Sequence, residues 1–416
     1  MNNNKSIIVL NQLAFTVFAS IAVFTPFVAF QRIVFLGGAF LFWLMTALSI
    51  EKRWFRSSYK YFYVILLWAV MFNFVHDDRI INSSQSYFQR FYSFSLWTYI
   101  WCVVYMFYRN HLKIAILPLK VILVMFFVSC LFTIRGNIIY PEASRLLAGA
   151  IGDDTEFANV LKSLYIGGYG FIYGVIFLVM PTYLCFKDSV ITNRKVMLLF
   201  LLVLVATTLM GAFFTGLFLM ASMMVLCLSN PKNLWKFLLG IGVAGILFTI
   251  FFEQIMMFII DIGHAVGSDT FARRAEQMLY GTYQSDYDAK NDLSRIERLY
   301  NASKNIMNSP FIGQLSSVHR RMYESGHSEF MGYFEKFGAL GLTYVWFFKS
   351  FYEQCSRNLM NTGVRRYYFL YFIVVILFLF IDTFDIAYAT GCVVFTIAPL
   401  MFQILDQRTS NKNIVA

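Results

Sequence analysis

The residues best suited to chemistry lie in one polar stretch, residues 294–341. His327 stands where apolar sequence resumes, and Glu329 and Glu335 follow it. Ionisable groups at the end of a membrane span are costly and tend to be functional. Histidine, with an unperturbed pKa of about 6.5, suits a general base near neutral pH. We therefore predict that His327 takes up a proton, with both glutamates as further candidates. The alternative is an ordinary histidine at a water–lipid boundary.

The same stretch holds a candidate anion site. Ser294 and Glu297 form a capping-box pattern, which predicts a helix that starts at Arg295 and ends before Pro310. A helix N-terminus carries free N–H groups and partial positive charge, and Arg295 and Arg298 would add cations to it. This arrangement favours the binding of a phosphate group. The alternative is that Arg298 pairs with a carboxylate on a solvated surface.

Weaker candidates lie elsewhere. Arg135 and Arg145 fall in a second polar segment, 134–162. The Asp153–Asp154 pair in that segment fits a solvated turn better than a metal site, because no histidine accompanies it. Asp382 lies in a short turn near the C-terminus, where it could bind a polar ligand group or simply be exposed.

These residues must be positioned by helices in a membrane. The chain has 416 residues, of which 59% are hydrophobic and only 14% charged, whereas a soluble domain has about 25% charged residues. The alternative is a soluble enzyme with a large core, but apolar runs of roughly 18–20 residues recur along the chain and argue strongly against it. The composition predicts an all-α polytopic membrane protein. The six cysteines show no spacing typical of a disulfide framework or a zinc site.

The apolar runs predict twelve transmembrane helices. A 34-residue apolar stretch is too long for one span, so we divide it near Gly211. The predicted spans are 7–28, 33–50, 60–75, 91–108, 113–133, 163–186, 196–210, 212–229, 235–260, 329–349, 367–382 and 387–405. Lys and Arg concentrate in alternate short loops, which predicts that both termini are cytoplasmic. This distribution also argues that the net charge of +11 does not serve nucleic acid.

We predict a single integral membrane domain, 1–416. Two outward loops interrupt it, a smaller one at 134–162 and a large helical one at 261–328. The large loop has eight basic and eight acidic residues, so it is not a polybasic lipid-binding arm. No internal repeat is evident, which argues against a secondary transporter.

With these residues in place, the chain resembles a known family. His327-Ser328, nine residues, Gly338, two residues and Gly341 are similar to the periplasmic signature shared by O-antigen ligases and O-antigen polymerases. Upstream, Arg295 is followed fifteen residues later by Pro310 and then by Gly313. This spacing resembles the segment that precedes the histidine in that family.

The smaller outward loop extends the resemblance, and one turn departs from it. Ser144-Arg145, leading to Asn159, is similar to the arginine region of the family's other sizeable periplasmic loop. Many relatives carry a Ser-Arg pair between the seventh and eighth spans. Residues 207–216 read TTLMGAFFTG, without an arginine. The role of that basic group is therefore missing or relocated here.

The resemblance implies a metal-independent, inverting glycosyltransferase of the GT-C type in the bacterial inner membrane. Its substrates would be undecaprenyl-pyrophosphate-linked glycans, used at the periplasmic face without a cofactor. His327 would act as the base. Arg145 and Arg295, supported by Arg298, would neutralise the pyrophosphate leaving group.

Three functions remain open. A polymerase would transfer a lipid-linked glycan chain onto a lipid-linked repeat unit, whereas a ligase would transfer it to lipid A–core. We favour the polymerase, because residues 207–216 lack the arginine and the large loop is poorly basic. A flippase of lipid-linked oligosaccharide would need charges at mid-membrane. The sequence does not define the sugars, the final polysaccharide or the binding of a chain-length regulator.

Overall fold

The computed structural model describes most of the chain. The described residues are 2–30, 33–74, 96–140, 143–145, 147, 156–211, 214–228, 251–265, 272, 275–276, 295–313, 328–381 and 389–415. Within these ranges the chain forms helices and no strand, as predicted for the fold class.

The helices are numbered in chain order. They are α1 (Asn2–Val23), α2 (Ile33–Ile50), α3 (Tyr59–Phe74), α4 (Trp97–Tyr108), α5 (Leu112–Ile139), α6 (Glu156–Ser163), α7 (Tyr169–Asp188), α8 (Arg194–Met210), α9 (Phe214–Leu228), α10 (Phe252–Ala265), α11 (Arg295–Asn308), α12 (Glu329–Phe337), α13 (Leu342–Ser356) and α14 (Thr362–Ile381). The last helix, α15, joins Ala389–Cys392, a π-helical segment Val393–Ile397 and Ala398–Val415. Short 3-10 helices occupy Thr25–Phe30, Arg53–Ser58 and Gly338–Gly341.

The described part of the chain contains five helices that are long and apolar enough to cross a membrane. These are Lys5–Val23, Leu112–Ile139, Tyr169–Asp188, Thr362–Phe380 and Ala389–Ser410. The shorter α2 is apolar on both faces: Leu36 and Trp43 are buried, while the side chain of Val34 is 75% exposed. An exposed apolar face on an apolar helix suits contact with lipid. These features support a membrane protein.

Buried polar contacts tie the first helices together. The indole Nε1 of Trp43 on α2 donates to the hydroxyl of Tyr108 on α4 at 3.1 Å. That hydroxyl donates to Oδ1 of Asn11 on α1 at 2.7 Å, and the Asn11 amide donates to Thr46 at 2.9 Å. Each buried donor thus has an acceptor on a neighbouring helix, which fixes the packing of α1, α2 and α4.

Helix α15 lies at the centre of the bundle. The most apolar part of this helix, within Ala389–Ser410, is completely buried. Thr390 donates to the carbonyl of Gly170 on α7 at 2.5 Å, and Thr396 donates to that of Trp101 on α4 at 2.8 Å. Gln403 donates to the Tyr105 hydroxyl at 3.0 Å. These bonds hold α4, α7 and α15 in one packed core.

The predicted span 329–349 is wrong as a single helix. Helix α12 ends at Phe337, and Gly338 adopts a φ of +56°. This backbone region suits glycine and stops an α-helix. A 3-10 turn follows, and α13 begins at Leu342. The apolar run therefore contains two helices, separated at Gly338.

Other boundaries also differ from the prediction. The 34-residue apolar stretch divides near Gly211 as predicted, because α8 ends at Met210 and α9 begins at Phe214. Helix α5, however, continues to Ile139, beyond the predicted end at 133. Arg135 therefore lies on this helix and not in a loop. Its neighbours Leu131 and Ile138 are exposed apolar residues, so the lipid-facing surface continues past the predicted boundary.

Candidate functional site

The proposed anion-binding helix ends where the sequence predicts. Helix α11 runs from Arg295 to Asn308, and its last turn leads into Ser309 and Pro310. The structure describes the backbone of Arg295 and Arg298 in the first turns of α11 but not their side chains. The end of the helix before Pro310 is confirmed. Its start stays a prediction, because Ser294 lies outside the described residues, and so does its role in binding an anion.

The residue after His327 anchors the next helix. Ser328 is 4% exposed, and its Oγ accepts a hydrogen bond from the backbone N–H of Met331 at 3.3 Å. This is an N-cap, which satisfies a free donor in the first turn of α12. The same Oγ lies 3.5 Å from the carbonyl oxygen of Leu379 near the end of α14. The N-terminus of α12 is therefore fixed against α14.

A buried carboxylate joins α11 to α12. The side chain of Glu335 is completely buried, and its Oε1 accepts a hydrogen bond from Nδ2 of Asn305 at 2.7 Å. A buried charge is tolerated only when hydrogen bonds replace its lost hydration. The sequence identified Glu335 as an ionisable group at a span end. The structure gives it a contact between two helices, and any part in chemistry stays a prediction.

Two glycines allow the same helices to meet backbone to backbone. Gly313 and Gly338 both have positive φ, +62° and +56°. A Cβ built on Gly338 would lie 2.6 Å from the backbone nitrogen of Gly313, and one built on Gly313 would lie 2.5 Å from that of Gly338. The N–H of Ala339 donates to the carbonyl of Phe311 at 3.2 Å across this contact. Only glycine fits at either position.

Aromatic side chains of α3 and α13 pack against α12. Tyr333 stacks on Tyr344 of α13 with ring centroids 4.1 Å apart. Trp68 of α3 packs against Tyr333 at 5.6 Å and donates from its Nε1 to Oγ1 of Thr343 at 2.9 Å. Aromatic pairs of this kind add to the stabilisation by burial and favour particular orientations. Helix α12 is thus positioned by α3 and α13 as well as by α11 and α14.

A second anchor lies beside Arg145. Nδ2 of Asn137, near the end of α5, donates to Oγ of Ser144 at 2.8 Å, and its Oδ1 accepts from the Ser144 N–H at 3.1 Å. Thr133, one turn earlier, accepts from the N–H of Gly167 through its Oγ1 at 2.9 Å. Ser144 is fully buried. The short turn Ala143–Arg145 is therefore held against α5.

The predicted site residues fall into three groups. Arg135 is described in full and is exposed on α5. Arg145, Arg295, Arg298 and Glu329 are described by their backbone alone. His327 and Asp382 lie outside the described residues. The structure brings the helix that carries Arg295 together with the one that carries Glu329 and Glu335. The convergence of Arg145 with them stays a prediction.

Sequence analysis missed two of the residues that build these contacts, Asn305 and Asn137. For Asn305 a signal existed: Ala302, Asn305 and Ser309 recur at helical spacing, and Ala302 is fully buried. This small and polar face is the one that meets α12. Asn137 offered no comparable signal, because a single amide at the end of an apolar helix is compatible with many environments.

The described residues do not form a metal site. In the ranges that the structure covers, no three His, Cys, Asp or Glu side chains are close enough to share a metal ion. The Asp153–Asp154 pair lies outside those ranges.

Comparisons with known proteins do not assign the chain to a family. No protein-family description, no curated protein and no solved structure matches it. The identity of the site therefore rests on its residues and their positions.

Proposed function

We propose that this chain is a glycosyltransferase that polymerises a surface polysaccharide, O-antigen or a related one. It would transfer a glycan chain from undecaprenyl pyrophosphate onto a lipid-linked repeat unit. We propose further that it has twelve spans in a GT-C-type arrangement in the bacterial inner membrane, with both termini cytoplasmic and the site facing the periplasm.

One observation supports the proposal above the others. The two stretches that carry the family resemblance are separated by residues 314–326 and are in backbone contact in the structure. Gly313 closes the Arg295–Pro310–Gly313 stretch, and Gly338 opens the Gly338–Gly341 pair. Their mutual approach excludes any side chain at either glycine. A spacing pattern that arose by chance would not require its two parts to meet.

The reaction follows from the residue types. The acceptor hydroxyl oxygen attacks the anomeric carbon of the donor while His327 takes the hydroxyl proton. The bond from that carbon to the pyrophosphate oxygen breaks, and the pyrophosphate leaves with the electron pair. Arg295 at the N-terminus of α11, with Arg298 and Arg145, would neutralise the developing charge. A single displacement of this kind inverts the anomeric configuration.

The proposal is tested by single substitutions in a producing strain. His327→Ala, Arg145→Ala and Arg295→Ala should each abolish chain extension while the protein is still inserted. General-base loss costs roughly 10²–10⁴-fold, and loss of a positioned charge about as much. Lys304→Ala is the matched control, since Lys304 is an exposed cation on the same helix. Full-length chains from all three variants would refute the assignment.

A deletion strain separates the candidate functions. A single repeat unit on the lipid A–core indicates a polymerase. A bare core with lipid-linked polymer would indicate a ligase. Lipid-linked units that accumulate in the cytoplasmic leaflet would indicate a flippase and would overturn the glycosyltransferase proposal.

A further inference from the structure

A basic cavity lies at the other end of the helices that position α12. It has a volume of about 400 Å³ and is formed between the 3-10 helix Arg53–Ser58, the start of α3, the end of α4 and the end of α13. Its charged and amide side chains are Arg56, Lys60, Arg109, Glu353, Gln354, Arg357 and Asn358.

The charge of this cavity is strongly positive. Four cations and one carboxylate line it. The carboxylate of Glu353 accepts a hydrogen bond from Arg357 at 3.1 Å, one turn along α13, and the Arg357 side chain is 79% exposed. An exposed pair of this kind contributes little energy. The positive charges of Arg56, Lys60 and Arg109 are left without a matching carboxylate in the cavity wall.

Hydrogen bonds hold the polar wall in place. Nζ of Lys60 donates to Oγ of Ser350 at 2.8 Å, and Ser350 lies 3.3 Å from the hydroxyl of Tyr61. The side-chain amide of Gln354 lies between that hydroxyl, 3.2 Å away, and the guanidinium of Arg109. These contacts join the side chains of Lys60, Tyr61 and Gln354 to α13 and Arg109 in one wall.

One donor in this wall is unsatisfied. Nε of Arg109 is buried and has no hydrogen-bond acceptor among the described residues. A buried donor without an acceptor is costly, at about 1–3 kcal/mol, and is commonly satisfied by an unseen ligand, ion or water. Because the donor belongs to a guanidinium in a cationic cavity, an anion is the acceptor that suits it.

The cavity is separate from the proposed catalytic site. Helix α13 carries Arg357 just beyond its C-terminal end and Leu342 at its N-terminus, next to the Gly338 turn. At 1.5 Å per residue, these positions are about 20 Å apart along the helix. Helix α3 runs in the opposite direction beside it, since Tyr61 contacts Gln354 and Trp68 contacts Thr343. The basic loops at this end are those that the sequence predicts to be cytoplasmic.

We propose that this cavity binds a phosphate group, presented by an anionic lipid headgroup or by a phosphorylated soluble ligand. A guanidinium matches phosphate oxygens with paired N–H donors, and a lysine adds a compact charge. Basic pockets between helices at the cytoplasmic surface suit anionic headgroups in general. The binding does not depend on glycosyl transfer.

The test uses the purified full-length protein in detergent. Retention of phosphatidylglycerol against phosphatidylcholine is measured by native mass spectrometry, and thermal stabilisation by inorganic phosphate and pyrophosphate is measured in parallel. The variants are Arg109→Gln, in the hydrogen-bonded wall, and Arg56→Gln, an exposed residue whose loss should not affect folding. Lys349→Gln is the matched control, since Lys349 is an exposed cation on α13 outside the cavity.

The two sources give different results. Preferential retention of phosphatidylglycerol that both variants weaken roughly tenfold or more identifies a lipid headgroup. Stabilisation by pyrophosphate or phosphate that the same variants weaken identifies a soluble ligand. The proposal is overturned if neither ligand binds. It is also overturned if Arg56→Gln binds both ligands as tightly as the wild type and the control Lys349→Gln do.

Discussion

Substitution of Gly338 by alanine should break the contact between α11 and α12. The residue has φ +56° and ψ −134°, a conformation that side chains rarely adopt. The added Cβ would lie 2.6 Å from the nitrogen of Gly313 and 2.7 Å from that of Ile312. Both neighbours are backbone atoms and have no rotamer by which to move away. The two chain segments must therefore separate.

The expected loss of stability has two sources, the backbone conformation at position 338 and the close contacts of the added Cβ. The unfavourable backbone conformation costs about 1–3 kcal/mol, and the forced separation of a packed contact costs a further amount of about 1–3 kcal/mol. The expected loss of stability is then about 2–6 kcal/mol, a large part of the total for a typical domain. Gly313→Ala should behave alike, because the contact is reciprocal. The double variant should cost less than the sum, since one separation relieves both clashes.

Two quantities are measured in detergent. The first is the midpoint of thermal unfolding, and the second is the fraction of protein that remains monodisperse after heating. Gly37→Ala is the control. No atom lies within 4 Å of a Cβ built on Gly37 in α2, and alanine favours a helix over glycine by up to about 1 kcal/mol. A Gly338→Ala protein as stable as the wild type would refute the assignment of this contact to glycine alone. Chain extension measured on the same variants would show whether the contact also matters for activity.

Two further substitutions test the buried polar contacts. Asn305→Ala should lower the unfolding midpoint by an amount that reflects about 1–3 kcal/mol, because it removes the hydrogen bond that Asn305 donates to the buried Glu335 side chain. Lys304→Ala, at an exposed position on the same helix, is its control, and equal midpoints for these two variants would contradict the reasoning. Asn137→Ala should lower the unfolding midpoint by an amount that reflects about 1–3 kcal/mol, because it leaves buried groups of Ser144 unsatisfied. Its control is Asn110→Ala, which removes an exposed amide in the turn between α4 and α5. Equal unfolding midpoints for these two variants would contradict the role of Asn137.

Local sequence was sufficient where a short-range rule decides the outcome. The proline at position 310 predicted the end of α11, at Asn308. The length of the apolar stretch around Gly211 predicted its division into α8 and α9. Both outcomes depend on neighbours within a few residues, and the helix ends follow from which backbone groups can be satisfied locally.

Local sequence failed where a distant segment decides the outcome. The stretch 329–349 is apolar enough for one span, yet it breaks at Gly338, because the backbone of Gly313 approaches there. Glu335 could not be distinguished from a surface carboxylate until its partner Asn305 was known. That partner is thirty residues away in the chain.

The sequence by itself determined that this protein is helical, apolar enough for a membrane, and polar in a few segments that hold its candidate residues. Hydrophobic composition and the period of a helix are properties of the chain alone, so they can be read from it. The tertiary structure alone decided that the segments after α11 and α12 meet at two glycines and that Arg56, Lys60 and Arg109 line one cavity. Such contacts join residues distant in sequence, and only packing determines which of the many possible pairs form.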